Sequence, residues 1–270
     1  MKPALSPGAG IGSYGGELET VVKPIAILET GKPPKDLQDA FDDYPARFRA
    51  LLGENVATVR FDVQAGRLPD DPAEFQGAIV TGSAAGVYDD LPWIPPLLDW
   101  LRYARGKTRL VGICFGHQAM AQAFGGHVGK SDKGWGVGLH RYDVVAEEPW
   151  MFPRAASIAI PVSHQDQVLT PPTDARVIAS SPFTPYAGLA WDDPAGGENG
   201  VVSFQCHPEF QPEYGIALIE ARRGTRVSHD LADEAVASLS RANDRAVLTA
   251  WIRAFLMLTP PPTEDAGSGI

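Results

Sequence analysis

The sequence predicts an α/β fold: a mostly parallel sheet with helices on both faces and a small antiparallel addition. Three observations predict it. Short apolar runs such as Ile25-Ala26-Ile27-Leu28 and Gly77-Ala78-Ile79-Val80 alternate with segments of helical apolar spacing through the first half of the chain, the pattern of strands buried on both faces. One such run, Leu110 to Ile113, passes through Gly112-Ile113-Cys114-Phe115-Gly116 into a helical segment marked by Ala119, Met120, Ala123 and Phe124 and stopped by Gly125-Gly126. After Gly126 the texture changes to short strands and turns, which points to antiparallel pairing.

Taken in order, residues 1–23 are rich in glycine and read as a flexible tail. The first strand, Ile25 to Leu28, ends at Glu29-Thr30-Gly31 and the breaker Lys32-Pro33-Pro34. A helix marked by Phe41, Phe48, Leu51 and Leu52 follows, with Pro45 near its start and Gly53 as its stop. Val56 to Phe61 and Gly77 to Thr81 read as the second and third strands, a helix spans Pro92 to Arg105, and the strand carrying Cys114 comes next. The later short strands are expected at His127 to Lys130, Leu139 to Val145, Ser157 to Val162, Arg176 to Ala179 and Ala187 to Trp191. Val201 to Phe204 returns to the buried-strand pattern. A helix across Tyr214 to Arg222 and two more within 229–258, the second capped by Asn243, complete a domain spanning 24–258; residues 259–270, with three consecutive prolines, read as a tail.

Composition narrows the function classes. At 270 residues and 44% hydrophobic content the chain can bury a full core. A net charge of −10, from 33 acidic and 23 basic residues, argues against nucleic acid or an anionic membrane as partner. No run approaches the roughly 18 apolar residues of a membrane span, and the N-terminal residues carry no apolar signal core, so a cytoplasmic location is expected. Two cysteines, Cys114 and Cys206, make no disulfide framework, and the six histidines are scattered without ligand spacing, so neither metal nor cofactor is expected.

The chemistry concentrates at Cys114. Gly-x-Cys-x-Gly between a strand and a helix is the thiol version of a nucleophile elbow, in which small flanking residues let the chain turn sharply under an exposed nucleophile. A sulfur at a helix N-terminus meets unpaired backbone N–H groups that favour the thiolate, and the Phe115 N–H is aimed where a carbonyl oxygen would become negative. A lone cysteine is more often a small core hydrophobe, but that leaves the two glycines unexplained. A thiol nucleophile needs a base and the base an orienting group. His207 and Glu209, two apart at the end of a predicted strand with Pro208 between them, fit both roles. His117, three residues after the cysteine, fits better as a residue shaping the elbow. Cys206 reads as core filler.

Gly112-Ile113-Cys114-Phe115-Gly116-His117-Gln118 together with His207-Pro208-Glu209 resembles the class I glutamine amidotransferase family, in particular stand-alone members similar to the amidotransferase half of GMP synthase. The resemblance covers roughly residues 25–225. It implies a flavodoxin-like core and a triad with Cys114 as nucleophile, His207 as general base and acid, and Glu209 orienting the imidazole. It further implies an oxyanion hole from the N–H groups of Ser83 and Phe115, and a substrate site drawing on Gly82, Gln118, Ser163, Gln165 and Asp166. Many relatives have Gly-Gly-Pro where this chain has Gly82-Ser83-Ala84, and Gly136 stands where an acidic residue is usual. Lys133-Gly134-Trp135 is also similar to a segment of the γ-glutamyl peptidases.

The implied activity is cleavage of the γ-amide of glutamine or of a γ-glutamyl conjugate through a γ-glutamyl thioester, with ammonia delivered to a separate acceptor enzyme or to solvent. Only 61 residues follow Glu209, fewer than an ATP-using synthetase domain needs. The expected partners are therefore a glutamine or γ-glutamyl small molecule and, for an amidotransferase, a separate synthetase subunit. The alternative enzyme is a stand-alone γ-glutamyl peptidase. Readings of another class are a non-catalytic regulatory or binding module on the same fold, and a cysteine-elbow protein in which a nearby acidic residue replaces the distant His-Glu pair. Tyr88, Trp93 and Trp135 are aromatics that either line the site or fill the core.

Overall fold

The computed structural model describes residues 23–258, so the two expected tails, apart from Lys23, lie outside the described residues. In chain order the strands are β1 (Ile25–Glu29), β2 (Thr58–Asp62), β3 (Gly77–Val80), β4 (Arg109–Ile113), β5 (His127–Lys130), β6 (Gly136–Val144), β7 (Ser157–His164), β8 (Asp166–Thr170), β9 (Arg176–Ser180), β10 (Gly188–Trp191) and β11 (Val201–Phe204). The helices are α1 (Tyr44–Leu52), α2 (Ile94–Ala104), α3 (Phe115–Ala123), α4 (Pro212–Glu220), α5 (His229–Leu239) and α6 (Arg245–Phe255). Among the described residues, no helix is long and apolar enough to cross a membrane.

Nine strands form one sheet in the order β2-β1-β3-β4-β11-β10-β9-β6-β7, and β5 pairs with β8 in a separate ribbon. The first five run parallel, with Val80 level with Gly112 and Phe204 level with Ile113; the last four are antiparallel. The expected antiparallel addition is thus mostly a continuation of the main sheet. Its strands hydrogen-bond onto β11, which leaves the parallel half without an open edge on that side.

Period-two alternation sorts the parallel strands' side chains onto two faces. Ile25, Ile27, Ile79, Val111, Ile113, Val202 and Phe204 pack with Phe48 and Leu52 of α1 and with Leu248, Trp251, Ile252 and Phe255 of α6. Ala26, Leu28, Ala78, Val80 and Leu110 pack on the other face with Leu97 and Leu101 of α2 and Ala119 and Met120 of α3. Cys206 is buried in the first of these clusters, as a core filler should be.

Several boundaries differ from expectation for identifiable reasons. Helix α1 starts at Tyr44, because Asp43 caps it by accepting from the Ala46 N–H at 2.8 Å, and Pro45 occupies the first turn. Phe41 lies before that helix and packs edge-on against Tyr214. The residue preceding α6 is Asp244, one beyond the expected cap, but Asn243 Oδ1 accepts from the Arg245 N–H, the first of the helix, at 3.3 Å. The Asp244 carboxylate is taken by the Ala159 N–H of β7 at 2.8 Å, a tertiary bond that helix-capping preference does not foresee. The second strand is Thr58–Asp62, two residues beyond the expected start, and β8 had no expected counterpart, its five residues being too short and mixed to register as an apolar run.

Candidate active site

Cys114 sits between β4 and α3 at φ 52° and ψ −101°, a backbone conformation that non-glycine residues rarely adopt. The flanking glycines make this turn sterically feasible. A Cβ on Gly112 would lie 2.6 Å from the Gly116 carbonyl oxygen and 2.7 Å from Met120 Sδ, and a Cβ on Gly116 only 2.3 Å from the Val80 carbonyl oxygen. Strand β4, helix α3 and the end of β3 therefore meet at backbone contact distance, and only glycine permits it. The Phe115 N–H is the first of α3, where an amide has no intrahelical partner.

His207 arrives from the neighbouring strand. Phe204 accepts from the Cys114 N–H at 2.9 Å, and the chain leaving β11 turns over the elbow through Gln205 and Cys206. His207 and Glu209 lie beyond the strand in a turn closed by the Phe210 N–H and the His207 carbonyl at 3.2 Å, so their proximity comes from this turn and not from strand alternation. His207 Nδ1 is 2.7 Å from Glu209 Oε1, and both side chains are buried. The imidazole also stacks face-on with Phe210, centroids 3.9 Å apart and planes 7° apart. Burial alone would lower the imidazole's pKa, but Glu209 and Cys114 together raise it to about 10. His207 is therefore held in orientation by Glu209 and Phe210, and its neighbours favour the charged imidazole.

Gly82, at the end of β3, closes the arrangement. A Cβ there would lie 3.0 Å from His207 Cε1 and 3.8 Å from Cys114 Cβ. The preceding Thr81 is fixed by Thr30, whose N–H donates to the Thr81 hydroxyl at 3.0 Å and whose own hydroxyl donates to the Thr81 carbonyl at 2.9 Å. Ser83 follows, bordering the open space above Cys114, with its Oγ accepting from the Ala85 N–H at 3.2 Å.

A cleft of about 360 Å³ opens on one side of Cys114, bordered by Ser83, Gln118, Ser163, Gln165 and Asp166, so the structure brings five sequence-selected residues together. Gln118 donates from its one amide nitrogen to the Asp166 carbonyl at 2.8 Å and to Gln205 Oε1 at 3.1 Å, while Gln205 Nε2 lies 3.6 Å from Cys114 Sγ. Asp166 accepts from the Tyr88 hydroxyl at 3.1 Å, and burial raises its carboxyl pKa. Tyr88 and Trp135 border this cleft, whereas Trp93 packs against Phe115 in the core. His117 is fully buried beneath the elbow, Nδ1 2.8 Å from Ser203 Oγ, and burial lowers its pKa to about 3, which suits a residue shaping the turn. Gln205, Lys130, Arg222 and Arg226 also reach the site and were not singled out from sequence. Gln205 adjoins the His207 motif, the one available signal; the arginines lie on a segment after α4 whose fold alone delivers them.

Residues 36–221 match the glutamine amidotransferase class-I family. The chain belongs to that family. A glutamine amidotransferase-like protein of Schizosaccharomyces pombe is 27% identical over 252 residues, covering 86% of this chain and 98% of that one. γ-Glutamyl peptidase 2 of Arabidopsis thaliana is 29% identical over 206 residues, covering 74% and 81%. The crystal structure of a glutamine amidotransferase from Thermotoga maritima superimposes with a TM-score of 0.67 at 16% identity, over 87% of this chain and 98% of that one. The likeness shows the flavodoxin-like fold of this family, with the elbow at the carboxyl ends of parallel strands where open α/β sheets place their ligands.

Proposed function

We propose that this protein hydrolyses γ-glutamyl amide bonds, with Cys114, His207 and Glu209 as its triad. The observation that carries the reading is the conjunction at Cys114 of a strained positive φ with a buried imidazole fixed from two sides, by Glu209 at 2.7 Å and by the Phe210 ring. Strain of this kind persists only where the surroundings over-determine it, and it concentrates at reacting groups.

In the proposed reaction Cys114 Sγ attacks the γ-carbonyl carbon while the N–H groups of Ser83 and Phe115 receive the developing oxyanion. His207 gives its proton to the departing nitrogen as the C–N bond breaks, leaving a γ-glutamyl thioester. Water then gives a proton to His207 and attacks the thioester, and glutamate leaves as Cys114 recovers the thiolate. The amino-acid end of the glutamyl group sits in the polar cleft of Gln118, Gln165 and Asp166, with Ser163 at its border, while Gly82 lines the adjoining space on the His207 side. Because both donors on the Gln118 nitrogen are already engaged, its carbonyl oxygen is the atom left to meet the substrate.

The similarity to γ-glutamyl peptidase 2 along 74% of this chain supports a chain that acts alone over one that supplies ammonia to a synthetase subunit. The test is glutamate release by the purified chain from glutamine and from a panel of γ-glutamyl amides, beside Cys114→Ala. Turnover lost in the variant is the expected result. Turnover retained by Cys114→Ala overturns the nucleophile; inertness of the wild type on every substrate, with no thioester trapped, overturns the hydrolytic reading.

A further inference from the structure

Two arginines stand where two cavities meet. Beside the polar cleft, a second cavity of about 330 Å³ opens on the His207 side of Cys114, lined by Pro34, Tyr44, His207, Phe210 and Leu218. Cys114, Ser163, Arg222 and Arg226 border both spaces. On the proposed reaction, His207 must reach the departing nitrogen, so the amine portion of the substrate occupies the cavity that His207 lines.

The arginines are poised without a counter-charge. Arg223, between them, is held by Glu220 and Asp233 at 2.7 and 2.8 Å. Arg222 instead donates to the Ser163 hydroxyl and lies over the Trp135 ring at 5.4 Å, and among the described residues neither it nor Arg226 forms an ion pair with a carboxylate. Burial, and after it the charge of Arg226, hold the Arg222 guanidinium below the usual arginine range. In a chain of net charge −10, two adjacent unneutralised guanidinium groups at the mouth of a site form a local field that an anion relieves. Ammonia brings no anion, and on the proposed reaction the glutamyl end meets Gln118, Gln165 and Asp166 in the polar cleft, which leaves the arginines, bordering both spaces, to meet an anion on the His207 side.

We propose that Arg222 and Arg226 recognise a carboxylate on the departing amine, which makes γ-glutamyl amino acids and short γ-glutamyl peptides better substrates than glutamine. This assignment rests on the hydrolytic reading and selects among its substrates. The apolar wall of Tyr44, Phe210 and Leu218 receives the body of that amine, while the guanidinium pair fixes its far end.

The deciding probes are γ-glutamyl-alanine and γ-glutamyl-alaninamide, which differ only in the terminal carboxylate. The wild-type ratio of kcat/KM, acid over amide, is expected to be roughly 10- to 100-fold, the scale of one charge-assisted hydrogen bond. In Arg226→Ala, a change at an exposed position, the ratio falls toward one, and Arg226→Lys restores part of it. A wild-type ratio near one, or a ratio that Arg226→Ala leaves in place, overturns the assignment while the hydrolytic reading stands. Inertness on both probes and on glutamine overturns the hydrolytic reading and this assignment with it.

Discussion

Replacing Gly82 by alanine probes the site without substituting a reacting group. The new methyl would lie 3.0 Å from His207 Cε1, against an ordinary carbon–carbon contact of about 3.5 Å or more. The imidazole must therefore retreat by about 0.5 Å, and it has no free direction: Glu209 Oε1 holds Nδ1 at 2.7 Å and Phe210 backs the ring plane at 3.9 Å. Phe210 in turn rests edge-on against Tyr214, centroids 4.7 Å apart. Either His207 tilts away from Cys114 or the Gly82-Ser83 loop lifts, and both degrade the reacting geometry. Since a misplacement of about 1 Å costs on the order of 10²-fold in rate, half of that predicts a loss of about 10-fold in kcat/KM. Overpacking at one methyl destabilises by about 1 kcal/mol, a fall of roughly 2–4 °C in Tm for a domain of this size. Steady-state turnover on the best γ-glutamyl amide and a thermal melt measure the two separately. Gly82→Ala with wild-type kcat/KM would refute the claimed contact between this loop and His207.

Three further outcomes follow from the same geometry. Glu209→Gln removes the carboxylate that raises the His207 pKa and changes the tautomer its partner imposes, so kcat should fall by about 10²- to 10⁴-fold with the melting curve retained; a loss under 10-fold would show that Glu209 does not orient the base. Gly116→Ala drives a methyl to 2.3 Å from the Val80 carbonyl and should lower stability by about 2 kcal/mol or more, read by urea denaturation; an unchanged midpoint would mean that β3 and α3 are not packed as described. His117 and His164 are both buried, with pKa values lowered to about 3, mainly by burial. Their neutral forms favour the fold fully above the unfolded histidine pKa of about 6.5, and this stability is lost as pH falls from there toward 3, at up to about 1.4 kcal/mol per pH unit for each ring. Stability to denaturation should accordingly fall between pH 7 and 5, by about 4 kcal/mol for the two together, and a flat profile would contradict their burial in the neutral state.

What was legible in the sequence follows the range of the forces involved. The parallel half was readable because strands buried on both faces must be apolar throughout, as Ile25 to Leu28 and Gly77 to Val80 are. The elbow was readable because backbone contacts at 2.3 and 2.6 Å leave no choice but glycine at 116 and 112. Strand β8 was not, since three of its five residues are half-buried or exposed and its identity depends on pairing with β5. The same dependence on distant partners hid Arg222 and Gln205: one meets Ser163 and the other Cys114 across 59 and 91 residues of chain. The juxtaposition of His207 with Glu209 was foreseen, although a turn and not a strand produces it.

The insertion between β4 and β11 explains how a single sheet can hold both Cys114 and the cleft beside it. These two strands are parallel neighbours, and their carboxyl ends alone would supply Cys114 and His207 with nothing to hold a substrate. The chain between them folds into β5 to β10, and the β7–β8 connection brings Ser163, Gln165 and Asp166 to the cleft edge. Pairing of Lys130 with Asp166 across the β5–β8 ribbon sets an opposite charge beside that carboxylate. The packing of α4 and α5 against β6, through Val137, Ile219, Ala235 and Leu239, anchors the segment from which Arg222 and Arg226 project. On the proposed reaction, then, bond cleavage belongs to the parallel half and substrate choice to the antiparallel half and the helices packed on it. Substitutions at Asp166 or Arg226 should therefore change which γ-glutamyl amide is preferred, whereas substitutions at Gly82 or Glu209 should slow all of them in proportion.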